Sequence, residues 1–438
     1  MLKAGVAIRD ITPKQRLKMH GYPDPADRSA LMAHDPLYGS VFYFENEKNK
    51  LLYITLDLVG VTKERCNEIR MLIEKHLGIS RKNVAVSCTH THSGPTTGGV
   101  GWGNFDELQE VNPKYNDYLR DLLLEAAYEA VENAFDAKVG WGVGTCGKEK
   151  GVGGNRHDPE GPCDPSVSVF AIKDLNDELR GCTVNYSMHP TVLHADSFFY
   201  TADYPCYIRQ TLNAKYPFMV FGFQMGSSGD QSSRFFRQGQ DFKEAERIGG
   251  AIGQVALEVL EGIQYVEEAE LKCASVMAEP PLKDFPTHEE AAKILAETRK
   301  TFEDLVVANA PYKKIRAAES IMEGSIFMEG FTRYFTENTV EILKEKELPI
   351  ECQAMRIGDY CIMGVACENF IKISHAIKAA SPFAVTVMSS VTNGTTAGYV
   401  CTDEAYDKLC YEAQCTTFAR GAEGAVTNAA MAAIELVK

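Results

Sequence analysis

Short apolar runs separated by polar turns, alternating with longer amphipathic stretches, set the pattern of the first half of the chain. Leu51 to Val61 and Val84 to Cys88 are continuous runs rich in β-branched and other apolar residues, the pattern of buried strands. Tyr115 to Ala134 has helical periodicity and predicts an amphipathic helix. The opening residues alternate like a first strand, whereas Gly151 to Pro165, dense in Gly, Pro, Asn and Asp, predicts a long irregular loop. A strand from Ser166 to Ile172, a turn at Asp174 to Asp177 and a strand from Gly181 to Met188 make a hairpin, and a further buried run follows from Phe218 to Phe223.

Thr287 followed by Glu290 is a capping box. It opens a charged, helix-patterned segment that runs to about residue 346 and is interrupted at Ala310-Pro311. This segment is either a lid over the sheet or a solvated helical layer, and the sequence alone favours the helical layer. From Ile350 strand signals return, with Glu351 to Arg356 and Tyr360 to Ala366 flanking a turn at Ile357-Gly358-Asp359, then a helix from about Phe370 and a strand from Ala384 to Val387. Strands alternating with helices predict an α/β protein: a large mixed sheet core with flanking helices and a helical insertion at about 287–346, in a single domain over 1–438, with the active site at strand ends.

Composition narrows the function classes. The chain has 438 residues, 45% apolar and 24% charged, which suits an ordinary folded protein. Sixty acidic against 45 basic residues give a net charge of −15, which opposes binding to nucleic acid phosphates or anionic lipid. No stretch is long and apolar enough for a transmembrane segment. Thirteen cysteines without a Cys-x-x-Cys pair predict reduced, buried thiols. Together with an N-terminus lacking a signal-peptide hydrophobic region, they predict a cytoplasmic protein. Homo-oligomerisation stays open.

The chemistry gathers after the strands. His90 and His92 end the run Val84-Ala85-Val86-Ser87-Cys88-Thr89-His90-Thr91-His92-Ser93-Gly94-Pro95. Residues two apart on a strand share a face, so both imidazoles are expected to reach one cavity, as metal ligands or as histidines satisfied by nearby carbonyls. His189 in Ser187-Met188-His189-Pro190, Asp230 and Ser232 after the Phe218 run, Glu368 after the Tyr360 run and Tyr399 all follow apolar strands in the same way. Glu368 is either part of that collection or a cap for the helix that follows. Two histidines and a carboxylate are the donor set of a catalytic zinc with an open position.

In their order along the chain these motifs resemble the catalytic domain of the neutral, non-lysosomal ceramidases, a family of zinc-dependent amidohydrolases. The resemblance rests on Gly5-Val6-Ala7-Ile8-Arg9-Asp10-Ile11-Thr12, Thr89-His90-Thr91-His92-Ser93-Gly94-Pro95, Asn155-Arg156, His189-Pro190, Gly229-Asp230-Gln231-Ser232, Glu368, Tyr399-Val400 and Tyr411-Glu412-Ala413. It implies Zn2+ held by His90, His189, Glu368 and Tyr399, with His92 and Arg156 beside the reacting amide. It also implies Tyr411 and Asp230 on the substrate side and Ser232 as the catalytic serine. Ser232 then acts either as a nucleophile or as a hydrogen-bond donor while activated water attacks, and His92 is the natural proton carrier for the departing amine.

Some positions depart from the family pattern. Cys367 stands where a glycine usually precedes the ligand glutamate, Ser232-Ser233-Arg234 replaces Ser-Pro-Asn, and no C-terminal immunoglobulin-like domain is expected. Arg234 and Arg237 suit an acidic or polar substrate better than a long acyl chain. The expected activity is hydrolysis of the amide bond of a small-molecule N-acyl compound, ceramide or a more polar amide. The rival expectations are a metal-dependent hydrolase of a different polar amide or ester, and a non-catalytic metal-binding relative.

Overall fold

Strand Tyr38–Glu45 carries large apolar side chains in both phases of its alternation: Val41 and Tyr43 enter one core, Phe42 and Phe44 another. Such a strand needs cover on both faces. The computed structural model, which describes residues 1–22, 28–98, 112–334, 344–345, 348–394 and 398–438, provides it with four layers, helices on sheet on sheet on helices. Among the described residues the larger sheet has nine strands. Its order is Val220–Met225, Leu179–Tyr186, Ser166–Asp174, Phe135–Thr145, Lys3–Asp10, Tyr38–Glu45, Lys50–Leu56 and Val84–Cys88, with Tyr265–Val266 paired to Phe135–Thr145.

Helices Lys63–Leu77, Pro113–Glu132, Tyr204–Lys215 and Phe242–Gly262 bury their apolar stripes on one face of that sheet. Helix Pro113–Glu132 lies directly on strand Lys3–Asp10, where a Cβ at Gly5 would sit 1.7 Å from the Ala130 carbonyl oxygen. The other face stacks on a second sheet of Leu271–Ala278, Ile350–Ile357, Tyr360–Val365 and Val385–Ser389 through Phe42, Tyr53, Phe170, Met355 and Tyr360. Helices Ile371–Ala380 and Ala422–Leu436 cover the second sheet from outside. The mixed sheet with flanking helices is as the pattern predicts; its division into two stacked sheets is the addition.

Three parallel pairs position the site. Lys50–Leu56 runs parallel to Val84–Cys88, Leu179–Tyr186 to Val220–Met225, and Tyr360–Val365 to Val385–Ser389. Loops leaving the carboxyl ends of parallel strands are where α/β proteins assemble ligand sites. Here His90 follows Cys88, His189 follows Tyr186 and Glu368 follows Val365, each within three residues of the strand end.

Other expectations are adjusted in detail. Phe218 is 93% exposed, and its strand begins only at Val220, because Pro217 and Phe218 form the turn after helix Tyr204–Lys215. The Gly151 to Pro165 loop contains a two-residue strand, Gly154–Asn155, paired with Gln231–Ser232. The Thr287–Glu290 capping box is formed as expected and opens helix His288–Val307, followed by helix Tyr312–Tyr334. The expected end near residue 346 lies outside the described residues. Helix Tyr312–Tyr334 docks on the short helix Tyr411–Cys415: Ser325 Oγ donates to Gln414 Oε1 at 2.8 Å and Gln414 Nε2 to the Ile321 carbonyl at 3.1 Å. All thirteen cysteines are free thiols, and only Cys163, Cys273 and Cys410 are partly exposed. No helix among the described residues is long and apolar enough to cross a membrane.

Candidate metal centre

Strand Val84–Cys88 stops before the first histidine, and His90 itself has a left-handed backbone with φ 64°. Strand alternation therefore does not bring the two imidazoles together; the turn after the strand does, with ring centroids 4.9 Å apart. His90 Nδ1 donates to the Val59 carbonyl at 2.7 Å, and His189 Nδ1 to the Ser228 carbonyl at 2.6 Å. A carbonyl oxygen only accepts, so each Nδ1 holds the proton and each Nε2 is the atom left to take a metal ion or, without one, a further proton. Both Nε2 atoms face one carboxylate oxygen: Glu368 Oε2 is 2.8 Å from His189 Nε2 and 3.2 Å from His90 Nε2.

Glu368 is held in place from both sides. Glu368–Asn369 pairs in parallel with Tyr399–Val400, and Asn369 Nδ2 donates to Ser227 Oγ at 2.6 Å. Glu368 does not cap the following helix; that task falls to Asp230 Oδ1, which accepts the Ile371 N–H at 2.9 Å. All three converging side chains are buried. Burial alone would raise the Glu368 pKa, but His90 and His189 hold it well below the usual carboxylate range.

Two imidazole lone pairs aimed at one anionic oxygen repel each other and it unless a positive charge lies among them. Nitrogen and carboxylate donors suit a borderline divalent cation such as zinc. A tetrahedral zinc with bonds of about 2.0–2.1 Å sets its donors roughly 3.3 Å apart, close to the observed separations. The carbonyl that orients each imidazole is the usual outer partner of a metal-bound histidine. Tyr399, opposite Glu368 in the register, has its ring centroid 6.4 Å from that of His189. Burial, aided by the Glu368 charge, pushes the Tyr399 phenol far up, so it is neutral in the absence of a metal.

His92 completes the cluster. One ring nitrogen from each of His90, His92 and His189 lies within 4.8 Å of the other two, so His92 is also placed as a donor. Burial, then the neighbouring His90 and His189, drives its pKa well below the ordinary imidazole value, which leaves it neutral. His20, not assigned from the sequence, packs near the same group and is lowered to about 4 by burial and His90.

Arg156 stands beside this cluster on a buried acid. Its Nε donates to Glu412 Oε1 at 2.6 Å, while His157 Nε2 is 2.7 Å from Glu412 Oε2. The guanidinium carbon lies 5.5 Å from the Tyr399 ring centroid and 5.7 Å from that of Tyr411. The Arg156 backbone N–H donates to the Asp230 carbonyl at 2.8 Å, and Ser232 pairs with Gly154 on the same short ribbon. Ser232 Oγ accepts the Arg234 N–H at 3.2 Å and hydrogen-bonds to no imidazole or carboxylate among the described residues. Beyond Arg156 opens a cavity of about 290 Å³, walled in part by Asp230, Arg234 and Tyr411 and roofed by helix Tyr312–Tyr334. Asp230 is on this wall with both oxygens engaged, one by Ile371 N–H and the other by Asn155 Nδ2 at 3.1 Å.

His90, His189, Glu368 and His92 are thus brought together, Tyr399, Arg156 and Tyr411 adjoin them, and Ser232 and Asp230 lie on the Arg156 side. Three contributors escaped the sequence reading. Glu412 sits inside the Tyr411-Glu412-Ala413 motif but drew no role there. Arg28, fully buried, donates to the His92 carbonyl at 2.7 Å and to Ser93 Oγ at 3.3 Å, and nothing in its local sequence marks it. Gly21 has φ 107°, and a Cβ there would lie 2.4 Å from His92 Cγ. Gly21→Ala should therefore displace His92; a shift of about 1 Å at a reacting group costs about 100-fold in rate. Kinetics beside metal analysis checks this: turnover is lost while bound metal stays.

The fold was compared with known proteins. It matches the crystal structure of neutral ceramidase from Pseudomonas aeruginosa with a TM-score of 0.74 and 19% identity, covering 99% of this chain and 75% of that one. It also matches a ceramidase structure described as complexed with C2, with a TM-score of 0.73 and 18% identity over the same shares. The chain therefore has a neutral ceramidase-like fold. No family model and no curated protein matches its sequence.

Proposed function

We propose that this chain is a zinc-dependent hydrolase of the amide bond in a small N-acyl compound. The observation that carries the proposal is the pair of carbonyl-anchored histidines turning their Nε2 atoms onto a single Glu368 oxygen. In this reading His90, His189, Glu368 and Tyr399 hold the metal, and residues 1–438 act as one catalytic domain. The thirteen free thiols support a reducing, cytoplasmic setting.

When bound, zinc supplies a Lewis acid for the amide carbonyl and lowers the pKa of water toward neutrality. The rest falls to the chain. Arg156, fixed by Glu412 and pressed between two tyrosines, places positive charge where the carbonyl oxygen becomes anionic. His92, neutral and outside the Glu368 contact, takes up a proton and passes it to the departing amine. With no described side-chain base hydrogen-bonded to it, Ser232 is better suited to donate a hydrogen bond to the substrate than to be deprotonated by a chain residue. The fold of the ceramidase neighbours supports the reaction class.

The test uses purified protein on a short-chain fluorescent ceramide and a panel of N-acyl amides. Hydrolysis of at least one amide should fall at least about 100-fold after chelation and return with zinc. Chelator-resistant turnover would remove zinc from the account, and an inert zinc-loaded protein would remove the reaction.

A further inference from the structure

The cavity beside Arg156 has a charge imbalance that bears on the substrate. Its volume, about 290 Å³, is at the small end of ligand pockets, roughly 300–1,000 Å³, and suits a compact group. Most ionisable groups on its wall already have a protein partner. Arg156 and His157 share Glu412. Lys372 pairs with Glu404 at 2.7 Å, Asp158 with Lys313 at 3.5 Å, and Asp230 accepts from Asn155 and Ile371.

Arg234 differs. Among the described residues no carboxylate lies within ion-pair distance of it, and its Nη1 donates only to Ser320 Oγ, at 3.3 Å. Arg156 and Arg316 add like charge nearby, while Glu323 and Glu412 oppose it only at longer range. Burial pushes the Arg234 pKa down to about 10, so it stays charged at neutral pH. A half-buried guanidinium without a carboxylate gains from an arriving anion, and its planar fork matches a carboxylate with two parallel hydrogen bonds.

The place of this cation is also informative. Arg234 is two residues beyond Ser232, and its N–H holds Ser232 Oγ. Resting on the amide-hydrolase reading, we propose that the substrate is a compact N-acyl amide bearing a carboxylate within a few bonds of the scissile amide, and that Arg234 receives it. An N-acyl amino acid or an acyl group with a terminal carboxylate has this chemistry.

Two matched pairs test the proposal with the zinc-loaded protein: N-hexanoylglycine against N-hexanoylethanolamine, and N-butylsuccinamic acid against N-butylbutyramide. In one pair kcat/KM should favour the carboxylate at least about 30-fold, a ratio in the range of a charged hydrogen bond. That ratio should fall only in part in Arg234→Lys, which keeps the charge and loses the paired hydrogen bonds, fall toward one in Arg234→Gln and invert in Arg234→Glu. Equal use of both members in both pairs, or a ratio unchanged in Arg234→Gln, would overturn the proposal. If the protein cleaves neither these compounds nor short-chain ceramide, the hydrolase reading fails. Calorimetric binding of the two carboxylate compounds then decides the anion site separately: at least tenfold weaker binding of either in Arg234→Gln upholds it, and no difference overturns it.

Discussion

Glu412→Ala should destabilise the folded protein by about 3–5 kcal/mol, the range seen when one partner of a buried ion pair is removed. Glu412 has no exposed surface and sits between Arg156 and His157. Without it, Arg156 remains charged beside the cluster and loses its anion, while the faces of Tyr399 and Tyr411 compensate only in part. Arg156 and His157 hold the Glu412 pKa far below the ordinary carboxylate range, against the opposing effect of burial. A depressed folded-state pKa sets the sign. The stabilisation is complete above the unfolded carboxylate value of about 4.3 and is lost as pH falls through the folded one. Wild type should therefore lose stability steeply on the acid side of pH 4, and Glu412→Gln should flatten that limb. Denaturant titrations from pH 7 to pH 2 measure both effects. Turnover in Glu412→Gln should also fall about 100-fold or more, because Arg156 is no longer held where charge develops.

Glu368→Ala should act on metal binding and turnover as well as on stability. It should abolish bound metal and lower kcat/KM about 1,000-fold or more, equivalent to about 4 kcal/mol of transition-state stabilisation. The metal-free variant should also unfold more easily than metal-free wild type, because the substitution removes the carboxylate that His90 and His189 hold ionised, while the Nδ1 protons of both imidazoles stay satisfied by Val59 and Ser228. Thermal unfolding of both proteins after chelation checks it: a variant as stable as wild type would mean that the carboxylate has no positively charged partner in the absence of metal.

Much of this site could be read along the chain because strand ends are marked in sequence. Val84 to Cys88 and Tyr360 to Val365 are apolar runs that stop sharply, and the polar residues just beyond them carry the chemistry. The reason that His90 and His92 meet was not readable, since a positive φ at a histidine has no sequence signature of its own. Glu412 and Arg28 were missed for a related cause: each acts through partners more than 60 residues away, Arg156 and His92, and local pattern holds no trace of such pairing. Asp230 shows the reverse case. A motif that implies a substrate contact also supplies the cap of helix Ile371–Ala380 and the carbonyl that fixes Arg156. The second sheet was legible as strands but not as a layer, because stacking depends on which face of Phe42 or Tyr360 meets which core.

Metal content by elemental mass spectrometry, on wild type beside His90→Ala, His189→Ala and His92→Ala, tests the central claim most directly. Wild type and His92→Ala should hold close to one zinc per chain, and the other two almost none. Zinc absent from wild type after reconstitution would contradict the metal centre, and zinc lost with His92 as completely as with His90 would replace the His90, His189 and Glu368 set by a three-histidine one.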